Sequence, residues 1–160
     1  MQRITPFLWF DNQAEVAANY YVSIFKNARI VTTARYSKEG AAASSQKEGS
    51  AMTVAFELDG QKFVALNGGP HFKINEAVSF VVNCESQDEI DHYWDNLAAG
   101  GDAAAQRCGW LKDKFGVSWQ IVPTNLPQLM TGENAGKVMQ ALLQMGKLDI
   151  AELQRARDGQ

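Results

Sequence analysis

A chain of 160 residues has room for one domain, or for two half-size units sharing a core. Its 46% hydrophobic and 21% charged residues are ordinary for a soluble globular protein, and a net charge of −3 with a pI near 5.4 gives no basic footprint for a nucleic acid. No apolar run of about 18 residues predicts a transmembrane helix or a membrane partner. The opening MQRITPF has no signal-peptide core. Cys84 and Cys108 have no metal-type spacing, and free thiols fit the cytoplasm.

In chain order, the apolar run ITPFLWF predicts a first strand over 3–10. Alternation puts Ile4, Leu8 and Phe10 on the face toward a helix, and Thr5, Phe7 and Trp9 on the other. Asn12 and Glu15 read as a capping box opening a helix over 13–26, which stops at Asn27. A strand is expected over 28–37. The small, polar stretch at 40–50 then reads as a mobile loop, or else as an extension of the flanking strands. Strands over 51–58 and 61–67 flank the hairpin signal Asp59-Gly60. Val54, Phe56 and Leu58, with Val64 and Leu66, are assigned to the helix side, and Phe63, Ala65 and Asn67 to the opposite side.

The plan then repeats 74 positions later. A strand over 77–84 carries Val78, Phe80, Val82 and Cys84 on one face and Ala77, Ser79 and Val81 on the other. Ser86 and Glu89 form a second capping box, opening a helix over 87–99. The shift pairs Val16 with Ile90, Tyr20 with Trp94, and Asn27 with Gly101. Strands follow over 104–111 and 117–122, the latter placing Ser118, Gln120 and Val122 on the second face. The tail from 125 to 160 belongs to neither copy. Asn125-Leu-Pro starts a helix there, and Val138, Leu142, Leu143, Met145, Leu148, Ile150 and Leu153 form an apolar stripe to pack on the domain or a partner subunit.

Two βαβββ copies imply a pseudo-symmetric α+β domain with its ligand site between them. The second faces mix aromatic and polar side chains, which suits the lining of a partly enclosed cavity for a small organic molecule. Packing against the tail or another subunit is the alternative. The expected ligand-binding residues are Thr5, Phe7, Trp9, Phe63, Asn67, Ser79 and Gln120. His71, in a loop between the copies, and Glu76 are the candidate acid–base groups, with turn capping or ion pairing the alternative for Glu76. His92 reads as a helix-surface residue, Asp113 as a turn residue and Cys108 as an inert thiol. No Ser-His-Asp spacing, P-loop or CxxC is present.

The segments ITPFLWFDNQAEVAANYYVSIFKNARI at 4–30, LNGGPHFKINEAVSFVVNCESQDEID at 66–91 and CGWLKDKFGVSWQIVP at 108–123 resemble the vicinal oxygen chelate superfamily, which includes the glyoxalases and bleomycin-resistance proteins. The nearer likeness is to its PhnB-like branch, the 3-demethylubiquinone-9 3-methyltransferase domain. The resemblance implies a glyoxalase-like domain over 1–124, made of modules at about 1–70 and 71–124. Their sheet would curve around a pocket, with a helical extension over 125–160. It also implies a homodimer, with modules or tails exchanged between chains. Superfamily enzymes place a divalent metal on four inward strand positions. By resemblance these fall here on Thr5, Ala65, Ala77 and Gln120, or after a two-residue slip on Arg3, Asn67, Ser79 or Val122. None is a His, Asp, Glu or Cys, so no metal and no other cofactor is expected. The strand-to-helix junctions DNQAE and ESQDE lack the glycine-rich turn on which many methyltransferases hold a nucleoside cofactor. The reading is a small-molecule pocket protein without the usual metal site. Its alternatives are a metal-independent enzyme of the superfamily and a structural dimer.

Overall fold

Each half of the chain opens with a strand that is rejoined, in parallel, by the last strand of the same half. The computed structural model describes residues 1–160 as two compact units, Met1–Ile74 and Asn75–Gln160. In the first, β1 (Phe7–Phe10) leads to α1 (Ala14–Ile24), β2 (Arg29–Arg35), α2 (Lys38–Ser44), β3 (Ala51–Leu58) and β4 (Gln61–Asn67). The sheet order is β1-β4-β3-β2, with β1 parallel to β4. In the second, β5 (Ser79–Cys84) leads to α3 (Gln87–Ala98), a 3-10 turn (Ala103–Ala105), β6 (Trp110–Lys112) and β7 (Ser118–Pro123). Its order is β5-β7-β6, with β5 parallel to β7. The tail forms α4 (Leu126–Leu129), α5 (Ala135–Leu143) and α6 (Ile150–Arg157). No helix is long and apolar enough to cross a membrane.

The fold is α+β and glyoxalase-like, but the copies are unequal. The first unit has all four strands plus an inserted helix. The second has three, and its would-be outer strand is replaced by the 3-10 turn. The repeat also has two registers. Leu8 and Phe10 match Val82 and Cys84, 74 positions on, whereas the helices start at Ala14 and Gln87, 73 apart. Three residues separate β1 from α1, and two separate β5 from α3. One residue turns a helix by about 100°. The expected pair Val16 and Ile90 therefore splits into 62% and 0% exposure, while Ala17/Ile90, Tyr21/Trp94 and Ile24/Leu97 are buried alike. Likewise the positive-φ helix stops are Asn27 and Gly100, not Gly101.

A second correction concerns β4. The two-residue turn at Asp59-Gly60, both at positive φ, pairs Phe56 with Phe63 and Val54 with Ala65. Across such a turn, residues of opposite parity share a face. Phe63, Ala65 and Asn67 therefore lie on the helix side, and Val64 and Leu66 on the open side, the reverse of the sequence expectation. Phe63 stacks on Phe56 at 5.5 Å, and Phe56 on Tyr21 of α1 at 6.1 Å. Such pairs contribute about 1 kcal/mol each beyond burial.

The expected first strand is also shorter, because Pro6 has no N–H for a ladder. Ile4 is 84% exposed. Ahead of Pro6 the Gln2 amide imitates backbone, accepting from Lys62 N–H at 3.0 Å and donating to the Lys62 carbonyl at 3.1 Å. Val78 lies before β5 and is exposed. The stretch expected as a loop or strand holds α2. Ser37 Oγ accepts from Gly40 N–H at 3.1 Å, three alanines favour helix, and Ser45 ends it in the left-handed region.

Two buried polar side chains pin the units. Asn12 caps nothing. Instead Asn67 Oδ1 accepts from Ala14 N–H at 2.8 Å, its Nδ2 donates to the Ala51 carbonyl at 3.1 Å, and its own carbonyl accepts from Tyr36 Oη. In the second unit Ser86 Oγ does cap, accepting from Glu89 N–H at 3.2 Å, while Glu89 accepts from Glu85 N–H at 2.8 Å. There Asp113 is the pin, accepting from the N–H groups of Phe115 and Val117 and from Trp119 Nε1 at 2.8, 3.1 and 2.9 Å. The tail buries Leu129, Val138, Leu148 and Leu153 against Val122, while Leu143 stays exposed. Replacing Asn67 by Ala strands a buried N–H and a buried carbonyl, so the expected loss is about 2–4 kcal/mol. Denaturant titration checks this; a shift under about 0.5 kcal/mol would contradict the pinning role.

Candidate functional site

The helices cover one face of each sheet, so the other faces are where a ligand could be met. In the first unit register puts Phe7, Trp9, Val64 and Leu66 on that face. Phe7 is exposed, but Trp9 is held: its Nε1 donates to the Gly69 carbonyl at 2.9 Å, and Phe72 packs edge-on at 4.9 Å. A Cβ on Gly68 would fall 2.2 Å from the Trp9 ring, so only glycine lets the 68–72 loop close over it. Thr5 is half-buried just before β1. Phe63 and Asn67, expected beside these residues, are turned away into the helix side by the hairpin register.

In the second unit register lines up Lys112, Ser118 and Ser79 in one row, and Trp110, Gln120 and Val81 in the next. Gln120 Nε2 donates to Ser79 Oγ at 2.9 Å, so two expected site residues do meet. Val122, two residues on, is instead covered by the tail. The face continues into a groove of about 700 Å³ along β6, lined by Glu76, Asp102, Ala104, Arg107, Cys108, Trp110, Lys112 and Ser118.

Arg107 and Trp110 sit opposite each other across a tight turn, exchanging backbone hydrogen bonds at 3.0 and 2.8 Å. Its central residues, Cys108 and Gly109, both have positive φ (54° and 84°). The tail holds this turn in place: Cys108 N–H donates to the Met145 carbonyl at 2.8 Å and Gly109 N–H to the Gly146 carbonyl at 2.9 Å. Strand alternation places Ser79 and Gln120 here, and Trp110 is among the tryptophans the sequence offers as stacking surfaces, but nothing in the alternation points to Arg107 or Lys112. The Cys108-Gly109 pair was the available signal, because glycine in a two-residue turn reverses the chain and sets its flanking residues side by side.

The candidate acid–base groups both lie on the surface. His71 is exposed in its loop, and Glu76 is exposed and paired with Lys112 at 3.0 Å. The Glu76 carboxyl is held below its usual range by its own backbone amide first and then by Lys112. No three His, Cys, Asp or Glu side chains converge where a metal ion could sit. Thr5, Ala65, Ala77 and Gln120 do not fit a divalent cation, and Ala65 is fully buried on the helix side of β4.

A family model described as 3-demethylubiquinone-9 3-methyltransferase matches residues 2–122. The chain belongs to this PhnB-like family. A PhnB protein from Bacillus cereus is 36% identical at a TM-score of 0.65, over 76% of this chain and 99% of that one. Protein PA1353 from Pseudomonas aeruginosa shares the fold at 20% identity and a TM-score of 0.60, over 77% and 98% of the two chains. The fosfomycin resistance protein FosX from Listeria monocytogenes shares it at 14% and 0.50, over 80% and 97%. These likenesses place the PhnB-like chain in the vicinal oxygen chelate superfamily. No curated protein matches it.

Its two free thiols differ. Cys84 is fully buried and burial, aided by Glu89, pushes its thiol up from 9.0 to about 12. Since the folded value is the higher, stability tied to the neutral thiol is present below about pH 9 and lost as pH rises toward about 12. Ellman's reagent at about pH 8 should titrate Cys108 in the native protein and Cys84 only after unfolding. Equal native rates for both would contradict the packing.

Proposed function

We propose that this PhnB-like chain binds a small organic molecule on its open sheet faces, without a tightly bound divalent metal. The observation that carries this reading is the Gln120–Ser79 pair, 2.9 Å apart on a face shared with Trp110. With its amide N–H spent on Ser79, Gln120 keeps a carbonyl oxygen free to accept, and Ser79 keeps a hydroxyl hydrogen to donate. A half-buried indole beside such a pair suits a flat ring with polar edges. Phe7 is the corresponding exposed aromatic of the first unit. Neutral amides and hydroxyls supply no negative charge to anchor a cation.

Binding is favoured over turnover because Glu76, lowered and ion-paired, is tuned away from a general acid. The methyltransferase of the family description would need a cofactor site, and the junctions at 11–13 and 85–86 carry no glycine. We place the chain in the cytoplasm, where two free thiols persist. We also propose a homodimer, with Ile4, Phe7, Val78 and Val81 among the exposed apolar residues that pairing could cover. Sedimentation should give twice the chain mass; a monomer at micromolar concentration would overturn the dimer.

A thermal-shift panel of flat aromatic compounds, neutral and charged, tests the binding reading. At least one is expected to raise Tm, with the rise reduced in Gln120→Ala and Ser79→Ala. No shift with any compound would sink it. Elemental analysis after dialysis should find metal well below one equivalent. Near-stoichiometric zinc, nickel, manganese or iron would overturn the metal-free part.

A further inference from the structure

The groove along β6 contains a polar group that the fold itself does not use. Ser118 is 2% exposed as a residue, and it lines the groove with a hydroxyl that no group of the protein bonds; no buried polar side-chain atom lacks a partner, so this oxygen is the part of Ser118 that stays open to the groove. An open hydroxyl at the floor of a groove is free to donate to a ligand. Its strand neighbours on the same face are Lys112 and Ser79. At the rim stands Arg107, exposed and without an ion pair, beside Trp110 across the tight turn. The nearby acids are both engaged: Glu76 on Lys112, and Asp102 on Ala104 N–H at 2.9 Å. That leaves Arg107 as the groove's uncommitted cation.

We propose that this groove is an oxyanion-binding site that selects a planar aromatic carboxylate. The inference rests on the small-molecule reading above and assigns it a ligand class. The carboxylate meets the Arg107 guanidinium, whose planar fork matches two oxygens. Ser118 Oγ donates to the same group from the floor. The ring lies along Trp110, beside the polar edge of Gln120. A volume of about 700 Å³ accommodates a one- or two-ring compound. The tight turn makes the arrangement rigid: Cys108 and Gly109 are fastened to 145–146, so Arg107 and Trp110 are presented together before a ligand arrives.

Calorimetry with naphthoate and its neutral counterpart naphthamide tests the assignment on the full chain. Naphthoate is expected to bind at least about tenfold more tightly. Arg107→Gln should remove that preference, Arg107→Lys should restore part of it, and Ser118→Ala should weaken naphthoate about fivefold. The three variants should keep the wild-type Tm without ligand, since neither side chain is bonded within the fold. Equal affinity for the two compounds, unmoved by Arg107→Gln, would overturn the oxyanion assignment while leaving the small-molecule reading intact. Failure of both compounds to bind would overturn the assignment and count against that reading as well. Naphthoate binding that survives both Arg107→Gln and Ser118→Ala would place the anion elsewhere and overturn the site.

Discussion

Two strands that run the same way cannot be joined by a turn. The parallel pairing of β1 with β4, and of β5 with β7, therefore obliges the chain to cross over the sheet before it returns. That constraint sends α1 and α3 over one face of each sheet. It fixes which side chains become core and leaves the other face for whatever the protein meets. Asn67 shows how closely the crossover is tied to the pairing. It is the last residue of β4, opposite Phe10 at the end of β1, and its side chain holds the first amide of α1. The strand that completes the parallel pair also anchors the helix the pair made necessary.

Much of this was legible in the chain. Apolar runs located most of the strands and the two crossover helices, and the Asp59-Gly60 turn lies where its glycine demanded, but the strand expected over 104–111 is a 3-10 turn at Ala103–Ala105 followed by the short β6 at Trp110–Lys112. The helix faces were harder, because a single residue of difference between the two strand-to-helix junctions rotates one stripe against the other. Asn12 resembled a cap by composition, but the long-range acceptor Asn67 had already met the Ala14 amide. Such an override depends on contacts 53 residues apart, which no local pattern contains. In α2 the error was one of emphasis: small residues suggested mobility, while alanine's helical preference and the Ser37 cap prevailed.

The candidate site was legible where strands are joined by long connections and obscured where the turn sets parity. Ser79 and Gln120 were placed on one face by simple alternation, and they are hydrogen-bonded there. Phe63 and Asn67 were placed by the same rule without counting across the two-residue turn, so they fell on the wrong side. Arg107 escaped because its position depends on backbone acceptors in the tail. Part of the mixed face also had both of its expected fates: Val122 is packed under the tail, while Gln120 remains open.

The fastening of the Cys108-Gly109 turn has a consequence for how this chain relates to its family. The family match ends at residue 122, yet the carbonyls that hold the turn belong to Met145 and Gly146. A chain ending after β7 would leave those two amides without acceptors and the 107–110 reversal without its support. The groove thus takes its lining residues from within the family match and the bracing of its wall from the segment beyond it. Borrowing the binding preferences of a relative without that segment would carry over the groove's residues but not the brace that sets them in place.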